Sequence, residues 1–257
     1  MKKISIVIPC YNEEKGIGKV IADVPKDRLK NLDYDFEIIV IDNNSQDKTS
    51  EIAKSHGAKV IFEKKQGKGH ALRTGFRNVS GDADYIVMLD GDNTYKAKEI
   101  PRLVEPLDSD FCDVIIGSRL EGKLNGSSLS LSHRLANWFF TFFVRKFYLT
   151  NTTDTCTGYF AWKKKVIDEL VPHIKSSGFA IEAEMITKMA RLGYKIYSVP
   201  ITYDNREGDS KLSPVMDGAK ITWMMIRNLT WKPCLPSDEI SLLQRLFKKL
   251  NFAKAGE

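Results

Sequence analysis

The chain has 257 residues, of which 42% are hydrophobic, and its formal net charge is +6. This length and apolar content permit a large folded domain and argue against global disorder. A positive balance suits phosphorylated substrates, an anionic membrane surface or nucleic acid. Because the basic residues of the C-terminal part alternate with bulky apolar residues, the pattern favours a membrane surface, and we expect no nucleic-acid partner.

The cysteines and the first residues indicate the cellular setting. The four cysteines are scattered without a C-x-x-C pair, so they indicate neither a zinc site nor a disulfide framework, and they favour a reducing, cytoplasmic setting. A strand is predicted almost at the N-terminus, which makes a signal peptide unexpected. No apolar stretch reaches the roughly 18 residues of a spanning helix. We therefore expect no transmembrane helix.

The first half of the chain alternates between two hydrophobic periods. Short apolar runs predict strands, and runs with apolar residues three and four positions apart predict helices. Such alternation is typical of an α/β fold with a mainly parallel, doubly wound sheet. The predicted strands are 4–8, 36–41, 59–62, 85–89 and 114–117, and the predicted helices are 13–24, 49–56 and 69–78.

The composition changes after residue 119. Segment 121–131 is rich in Gly, Ser and Asn, which predicts a mobile loop. Segment 134–149 predicts a strongly aromatic helix that either lies in the core or touches lipid. Segments 221–229 and 240–252 have the pattern of interfacial amphipathic helices. Packing of the last helix on the domain, or against another subunit, is the alternative.

The pair Asp90-Gly91-Asp92 is the clearest candidate for chemistry. The chain contains four Asp-x-Asp pairs, but only this one follows a clean apolar strand and leads into a polar turn. Open α/β sheets bind ligands beyond the carboxyl ends of their strands. Hard divalent cations take oxygen ligands and share them with substrate phosphates. Asp90 and Asp92 are therefore candidate ligands for Mg²⁺ or Mn²⁺ beside a diphosphate.

Five polar turns are predicted at the same edge of the sheet. Each alone could be an ordinary turn between a strand and a helix, and Asp42 could simply cap a helix. Together they supply carboxylates for a ribose and a metal, and lysines such as Lys68 for phosphate charge. The five turns are 9–14, 42–49, 64–69, 90–92 and 117–119.

This set resembles the inverting glycosyltransferases of family 2, which have the GT-A fold. The resemblance runs from about residue 3 to residue 213, and it implies a nucleotide-sugar donor. It places Asp90 and Asp92 at the diphosphate and the metal. The family often has a second Asp where this chain has Asn43, and the variant favours a UDP sugar among UDP-glucose, UDP-N-acetylglucosamine and GDP-mannose. The implied nucleotide-sugar-binding residues are Pro9, Tyr11, Glu13, Asp42, Asn43, Lys68, Asp90 and Gly91.

The second half of the chain narrows the resemblance. Segments 154–159 and 206–212 are similar to motifs of the polyprenyl-phosphate hexose synthases, the group of dolichyl-phosphate mannose and glucose synthases. That similarity implies a polyprenyl phosphate as acceptor. A phosphate monoester is already an anion and needs no general base, whereas a sugar hydroxyl needs one. Arg119, Arg134, Arg206 and Lys211 are suited to bind the acceptor phosphate. We predict Asp90, Asp92, Arg119 and Asp154 as catalytic residues.

The sequence thus predicts transfer of a hexose from a nucleotide sugar to dolichyl or undecaprenyl phosphate, for glycan assembly or protein glycosylation. We expect a peripheral enzyme at the cytoplasmic face of a membrane. Its catalytic GT-A domain would cover 1–215, with a nucleotide-sugar-binding part (1–120) and an acceptor-binding part (121–215), and 216–257 would bind the membrane surface.

Two alternatives remain open from the sequence. The first is a family 2 transferase that acts on a saccharide or glycolipid hydroxyl, with Asp154 or Glu184 as its base. The second is a non-catalytic nucleotide-sugar-binding protein. Glu182 and Glu184 are two residues apart on a predicted helix, so we expect one to face the site and the other to be solvated.

Overall fold

The structure is a computed structural model that describes residues 1–125, 129–206 and 214–232. Lys211 and segment 240–252, for which the sequence makes predictions, lie outside these residues. The described strands are β1 (Lys2–Cys10), β2 (Tyr34–Asp42), β3 (Lys59–Phe62), β4 (Tyr85–Met88), β5 (Val114–Leu124), β6 (Phe160–Lys163) and β7 (Ile196–Tyr203). The described helices are α1 (Ile17–Ala22), α2 (Lys26–Asn31), α3 (Thr49–Ser55), α4 (Lys68–Arg77), α5 (Ile100–Asp108), α6 (Leu131–Tyr148), α7 (Lys164–Leu170), α8 (Ile181–Arg191) and α9 (Pro214–Asn228).

The strands form one sheet in the order β3-β2-β1-β4-β6-β5-β7. Of the described strands, β6 alone runs against its neighbours, pairing antiparallel with both β4 and β5. The predicted α/β fold with a mainly parallel sheet is confirmed. Because β1, β2, β3 and β4 are parallel, the turns that follow them meet at one edge of the sheet. Open α/β sheets bind their ligands at this edge, beyond the carboxyl ends of the strands.

Helices cover both faces of the sheet. Alternate residues of β1 point to opposite sides, so that Ile4, Ile6 and Ile8 pack with α1, α2, α3 and α5 while Val7 packs with the opposite layer. The opposite layer contains α4, α6, α7, α8 and α9. Central strands buried on both faces explain why β1 and β4 are continuous apolar runs with little alternation of polarity.

Several predicted boundaries differ from the structure for local reasons. The helix expected over 13–24 begins at Ile17, because the backbone N–H groups of Glu13 and Glu14 donate to Thr49 and Asp47 instead of entering a helix. The loop predicted over 121–131 is wrong at its start, since β5 continues to Leu124 by pairing with β7. The helix predicted from residue 134 begins at Leu131 and ends at Tyr148.

The aromatic helix α6 has one face in the core and one face in solvent, so the reading as a core helix is confirmed for the inner face and contact with lipid stays a prediction. Its inner face, including Phe140, Val144 and Tyr148, is buried in the core. Its outer face leaves large side chains in solvent, with Trp138 62% and Phe142 53% exposed. Helix α9 packs beside it and adds further exposed apolar side chains. Within the described ranges, no helix combines the length and the hydropathy needed to cross a membrane.

Candidate active site

A cavity of about 340 Å³ opens at the carboxyl edge of the sheet. It collects residues from the turns after β1, β2, β3 and β4, which lie far apart in the sequence and meet because the strands are parallel. Most of the residues predicted to bind the nucleotide sugar are among its walls. The cavity is lined by Pro9, Cys10, Tyr11, Glu13, Asn43, Gln66, Gly67, Lys68, Ala71, Asp90, Gly91, Asp92, Gly178, Phe179 and Arg206.

Hydrogen bonds join the turn after β1 to the turn after β2. The backbone N–H of Asn12 donates to Ser45 Oγ at 3.0 Å, and the N–H of Gln46 donates to Asn12 Oδ1 at 2.8 Å. The N–H of Glu13 donates to Thr49 Oγ1 at 2.8 Å. The Ser and Thr side chains of the 42–49 motif therefore support the wall of the cavity that carries Tyr11 and Glu13.

Asp42 ends β2 and Asn43 follows it, and the two side chains have different partners. Asp42 is buried, and its two oxygens accept from the N–H of Ser45 at 2.9 Å and from Ser50 Oγ at 2.6 Å. It does not line the cavity, so its predicted contact with the nucleoside stays a prediction. Asn43 lines the cavity and holds the next turn, as Nδ2 donates to the carbonyls of Glu63 and Lys65 and Oδ1 accepts from the N–H of Gly67.

Lys68 is bound between two carboxylates at the base of the cavity. Its Nζ lies 2.6 Å from Asp90 Oδ1 and 2.6 Å from Glu182 Oε1. Burial alone would lower the pKa of Lys68, but the two carboxylates outweigh it and raise that pKa above its usual value. Burial raises the pKa of Glu182 although Lys68 opposes the rise. The Lys68 ammonium therefore contacts Asp90 where the sequence predicts a metal ion.

Asp92 has a cation of its own. The Arg206 guanidinium lies 2.8 Å from Asp92 Oδ2, and Thr94 donates to Oδ1 through both its hydroxyl and its N–H. Asp92 is 1% exposed. The predicted pair of carboxylates is thus assembled at the cavity, and the predicted Arg206 is close to it.

Arg119 and Asp154 form a buried, bidentate ion pair beside the cavity. Arg119 Nε donates to Asp154 Oδ2 at 2.8 Å, and its NH2 donates to Oδ1 at 3.0 Å. Asp154 is fully buried and also accepts from Asn137 Nδ2 at 2.7 Å. Arg119 is itself buried and does not line the cavity, so its predicted contact with an acceptor phosphate stays a prediction. The geometry gives the pair a structural task, since it fixes the segment that leads to Gly158.

Gly158 brings that segment against Asp90. A Cβ at this glycine would lie 2.4 Å from Asp90 Oδ2, closer than atoms can approach. The N–H of Gly158 donates to the Tyr95 hydroxyl at 2.7 Å. The Arg119–Asp154 pair is therefore connected to the orientation of the Asp90 carboxylate by direct contacts.

The remaining predicted residues lie elsewhere. Arg134 is exposed on the first turn of α6, outside the residues that line the cavity. Glu182 faces the site, as expected of one of the two glutamates, but the expectation that the other is solvated is wrong. Glu184 is fully buried and is paired with Lys188.

The sequence assigns no binding role to several residues of the cavity. Gly178 and Phe179 come from the loop before α8 and form one wall. They begin a segment that is similar to the polyprenyl-phosphate hexose synthases, but nothing in that segment indicates that the loop folds back over a distant turn. Cys10 lies beneath Gly91, where an added Cβ would be 2.5 Å from its sulfur. Burial raises the pKa of the Cys10 thiol, so this side chain contributes packing and no thiolate chemistry.

Comparison with known families supports the predicted resemblance. The sequence profile described as Glycosyl transferase family 2 matches residues 5–171. That match covers the four parallel strands and the Asp90-Gly91-Asp92 turn. The chain belongs to glycosyl transferase family 2.

Individual relatives of this family 2 glycosyltransferase come from an archaeon. The low-salt glycan biosynthesis hexosyltransferase Agl6 of Haloferax volcanii is 35% identical over 226 residues, which are 88% of this chain and 53% of that protein. The chain thus spans about half the length of Agl6. A dolichyl-phosphate hexose transferase of the same organism is 32% identical over 218 residues, which are 85% of this chain and 90% of that protein.

A solved structure shows the same fold. Glucosyl-3-phosphoglycerate synthase of Mycobacterium tuberculosis, crystallised with Mn²⁺, UDP and phosphoglyceric acid, superimposes with a TM-score of 0.68 at 22% identity. The match covers 89% of this chain and 79% of that one. The predicted GT-A fold is confirmed.

The hydrogen bonds of Asn43 predict the effect of restoring an acidic residue. In Asn43→Asp, a carboxylate would face the carbonyl oxygens of Glu63 and Lys65 with no hydrogen to donate. Each lost partner costs about 1–3 kcal/mol, so we expect a lower unfolding temperature and weaker binding of nucleoside diphosphate. Thermal unfolding and calorimetric titration measure both. The control is Asn78→Asp, because exposed Asn78 donates to one carbonyl only; equal effects of both substitutions would contradict the assignment.

The buried Arg119–Asp154 pair predicts that removing its negative charge lowers the stability of the fold. Asp154→Asn leaves Arg119 buried without its counter-charge, which typically costs about 3–5 kcal/mol and lowers the unfolding temperature of a chain of this size by roughly 10 °C. Scanning calorimetry of the full chain tests this, with Asp110→Asn at an exposed ion pair as control. Lost transfer with an unchanged unfolding temperature would instead indicate that Asp154 acts in the chemical step.

Proposed function

We propose that this family 2 glycosyltransferase moves a hexose from a nucleotide sugar to a polyprenyl phosphate of the dolichyl or undecaprenyl type. The product would be a polyprenyl-phosphate sugar for glycan assembly or protein glycosylation. The name of the Haloferax dolichyl-phosphate hexose transferase, which this chain matches over most of its length, supports the acceptor class. A UDP sugar is the first donor to test.

One observation supports a phosphate acceptor over a hydroxyl acceptor. A hydroxyl acceptor needs a general base, and the sequence offers Asp154 or Glu184 for that task. Both carboxylates are fully buried, and each already accepts several hydrogen bonds from a cation and from backbone N–H groups. A group in that state is a poor base for a substrate outside its pocket. An acceptor that arrives as an anion removes the need for one.

The two ends of the cavity suit the two parts of the donor, the nucleoside and the diphosphate. Pro9, Tyr11, Glu13 and Asn43 line the end formed by the turns after β1 and β2, and we assign this end to the nucleoside. The charged groups of the other end, with Lys68 and Arg206 as cations, suit the diphosphate. A phosphate oxygen of the acceptor attacks the anomeric carbon as the bond from that carbon to the diphosphate breaks, and the electron pair leaves with the nucleoside diphosphate.

The carboxylates also suit a divalent cation. Within the described residues no group of three or more His, Cys, Asp or Glu side chains could hold a metal, so Asp90 and Asp92 would share Mg²⁺ or Mn²⁺ with oxygens of the donor, as such cations commonly do. Both carboxylates already attract cations, Lys68 and Arg206. When bound, the metal supplies positive charge to the diphosphate as it leaves.

The acceptor phosphate needs cations beside the donor. Arg206 lines the cavity at the place where the donor diphosphate is expected, and its planar guanidinium can bind phosphate through two hydrogen bonds. Lys211 and Arg134 remain further candidates for this contact. Arg119, in contrast, is better assigned to positioning Asp90 through its pair with Asp154.

The outer faces of α6 and α9 fit the surface of an anionic bilayer. The α6 sequence contains several bulky apolar residues, three basic residues and no Asp or Glu. The exposed apolar side chains are Leu131, Leu135, Trp138, Phe139, Phe142, Phe147, Met216, Trp223 and Ile226. Exposed large apolar side chains in this number mark an interaction surface, and basic residues beside aromatic ones are the pattern of interfacial helices. We therefore place the polyprenyl chain and the membrane at this face.

Transfer itself is tested with the full chain, a panel of radiolabelled nucleotide sugars and dolichyl or undecaprenyl phosphate. One donor should yield a lipid-extractable product, and EDTA should abolish it. Asp92→Asn should lower the rate at least about 100-fold, because a metal contributes several kcal/mol to charge stabilisation. Asp110→Asn changes an exposed member of another Asp-x-Asp pair and should leave the rate unchanged. Full transfer by Asp92→Asn, or transfer to a saccharide only, would contradict the proposal.

Membrane binding is tested by co-sedimentation with vesicles of phosphatidylglycerol and phosphatidylcholine. Replacing both Trp138 and Phe142 by Ser should lower the vesicle-binding constant at least about 100-fold, since burying such side chains contributes roughly 1.5–3 kcal/mol each. Phe62→Ser is the matched control, because Phe62 is 60% exposed on the edge strand β3. Unchanged binding of the double variant would exclude α6 as the membrane face.

A further inference from the structure

The loop before α8 forms a wall of the cavity and lies outside the five polar turns that the sequence predicts at this edge of the sheet. This 175–179 loop consists of Lys175, Ser176, Ser177, Gly178 and Phe179, and its last two residues line the cavity. Its position therefore affects the shape of the donor site. The contacts that hold the loop come from two directions.

The first contacts join the loop to the turn that carries Lys68. The N–H of Gly69 donates to the carbonyl of Ser177 at 2.9 Å. The approach is so close that a Cβ at Gly67 would lie 2.2 Å from the Ser177 oxygen and a Cβ at Gly69 would lie 2.0 Å from the Ser176 oxygen. The two glycines are needed for this contact. A shift of the 175–179 loop would therefore move the backbone on either side of Lys68.

The second contacts come from Glu184, which lies beneath the loop. Its carboxylate accepts from the N–H of Ser176 at 2.7 Å, from the N–H of Lys175 at 3.1 Å and from Lys188 Nζ at 2.5 Å. Burial alone would raise the pKa of Glu184, but Lys188 and the N–H of Ser176 outweigh it and keep the pKa below its usual value. Glu184 thus stays ionised and binds the loop backbone.

Lys188 connects this carboxylate to the end of α9. It is 1% exposed, and its ammonium donates to the carbonyl of His173 as well as to Glu184. The Trp231 ring lies 5.3 Å from the ammonium and 5.2 Å from the His173 ring. Arg191 Nε donates to the carbonyl of Trp231 at 3.1 Å. Trp231 therefore packs against the ammonium of the buried ion pair and against His173.

We propose that Glu184 and Lys188 are positioning residues of the donor site, and that Trp231 controls them. The segment after α9 sets how firmly the 175–179 loop is held against Gly67 and Gly69, and through that contact it sets the affinity for the donor. The inference rests on the proposed function only in taking a nucleoside diphosphate as the ligand of the cavity. The connection itself is a property of the protein without ligand.

The test compares Trp231→Ala with Trp231→Phe in the full chain. Trp231→Ala removes the ring from Lys188 and should raise hydrogen–deuterium exchange about tenfold in peptides that contain Lys175, Ser176 and Gly69, since the ring–cation contact that stabilises the buried ammonium is lost. Trp231→Phe retains an aromatic face and should restore protection. The matched control is Phe111→Ala, because Phe111 is half-exposed and makes its ring contact with Tyr197 at the far end of the sheet.

Binding is measured by calorimetric titration of UDP and of GDP, each with MnCl₂. Trp231→Ala should lower the affinity for the nucleotide that the native chain binds about fivefold. In the transfer assay it should raise the donor KM and change kcat little. Glu184→Gln should act in the same direction, and its unfolding temperature is recorded to show that it folds.

The outcomes separate this inference from the proposed function. Unchanged exchange in the 175–179 loop for Trp231→Ala, or an increase spread evenly over the whole chain, would overturn the connection. If neither nucleotide binds the native chain, the donor assignment fails, whereas the exchange experiment still decides whether Trp231 controls the loop.

Discussion

The compensation of buried carboxylates is the constraint on which the site depends. Asp90, Asp92 and Glu182 lie at the end of β4 and the start of α8. Asp92 and Glu182 are buried and Asp90 is partly buried, so an uncompensated charge there is costly. Lys68 and Arg206 supply the cations. Lys68 can reach its partners only because Gly67 and Gly69 let the turn after β3 pass directly under the backbone of residues 176 and 177. A phosphorylated ligand and its metal would enter a network of three carboxylates and two cations, so binding would exchange partners within it.

The sequence was most informative where strands end. The apolar runs of β1, β2 and β4 predict a parallel sheet, and parallel strands bring Glu13, Asn43 and Asp90 to one edge without further information. The asparagines at the same edge of the sheet are a finer signal. Asn12, Asn44 and Asn93 each follow a strand and each adopt the left-handed conformation with φ near 60°. Asparagine tolerates that conformation better than other non-glycine residues, and it turns the chain back into the site.

Pairings between distant elements could not be predicted in this way. Arg119 is suited to phosphate by its chemistry, but its guanidinium is occupied by Asp154, 35 residues away. Spacing alone cannot show that two groups of opposite charge meet in a core. The same applies to Glu184, whose two-residue spacing from Glu182 suggested a solvated side chain. A helix packed on both sides buries several faces, so a difference in direction does not imply exposure.

Helix α6 connects two surfaces that the sequence treats separately. Its inner side donates from Asn137 to Asp154 and thereby supports the segment that ends against Asp90, while its outer side presents Trp138 and Phe142. An α-helix with its side chains is about 10 Å across. The outer side chains of α6 therefore lie about one helix diameter from its contact with Asp154, so anything bound to the outer side would act on the support of the Asp90 segment through a single rigid element.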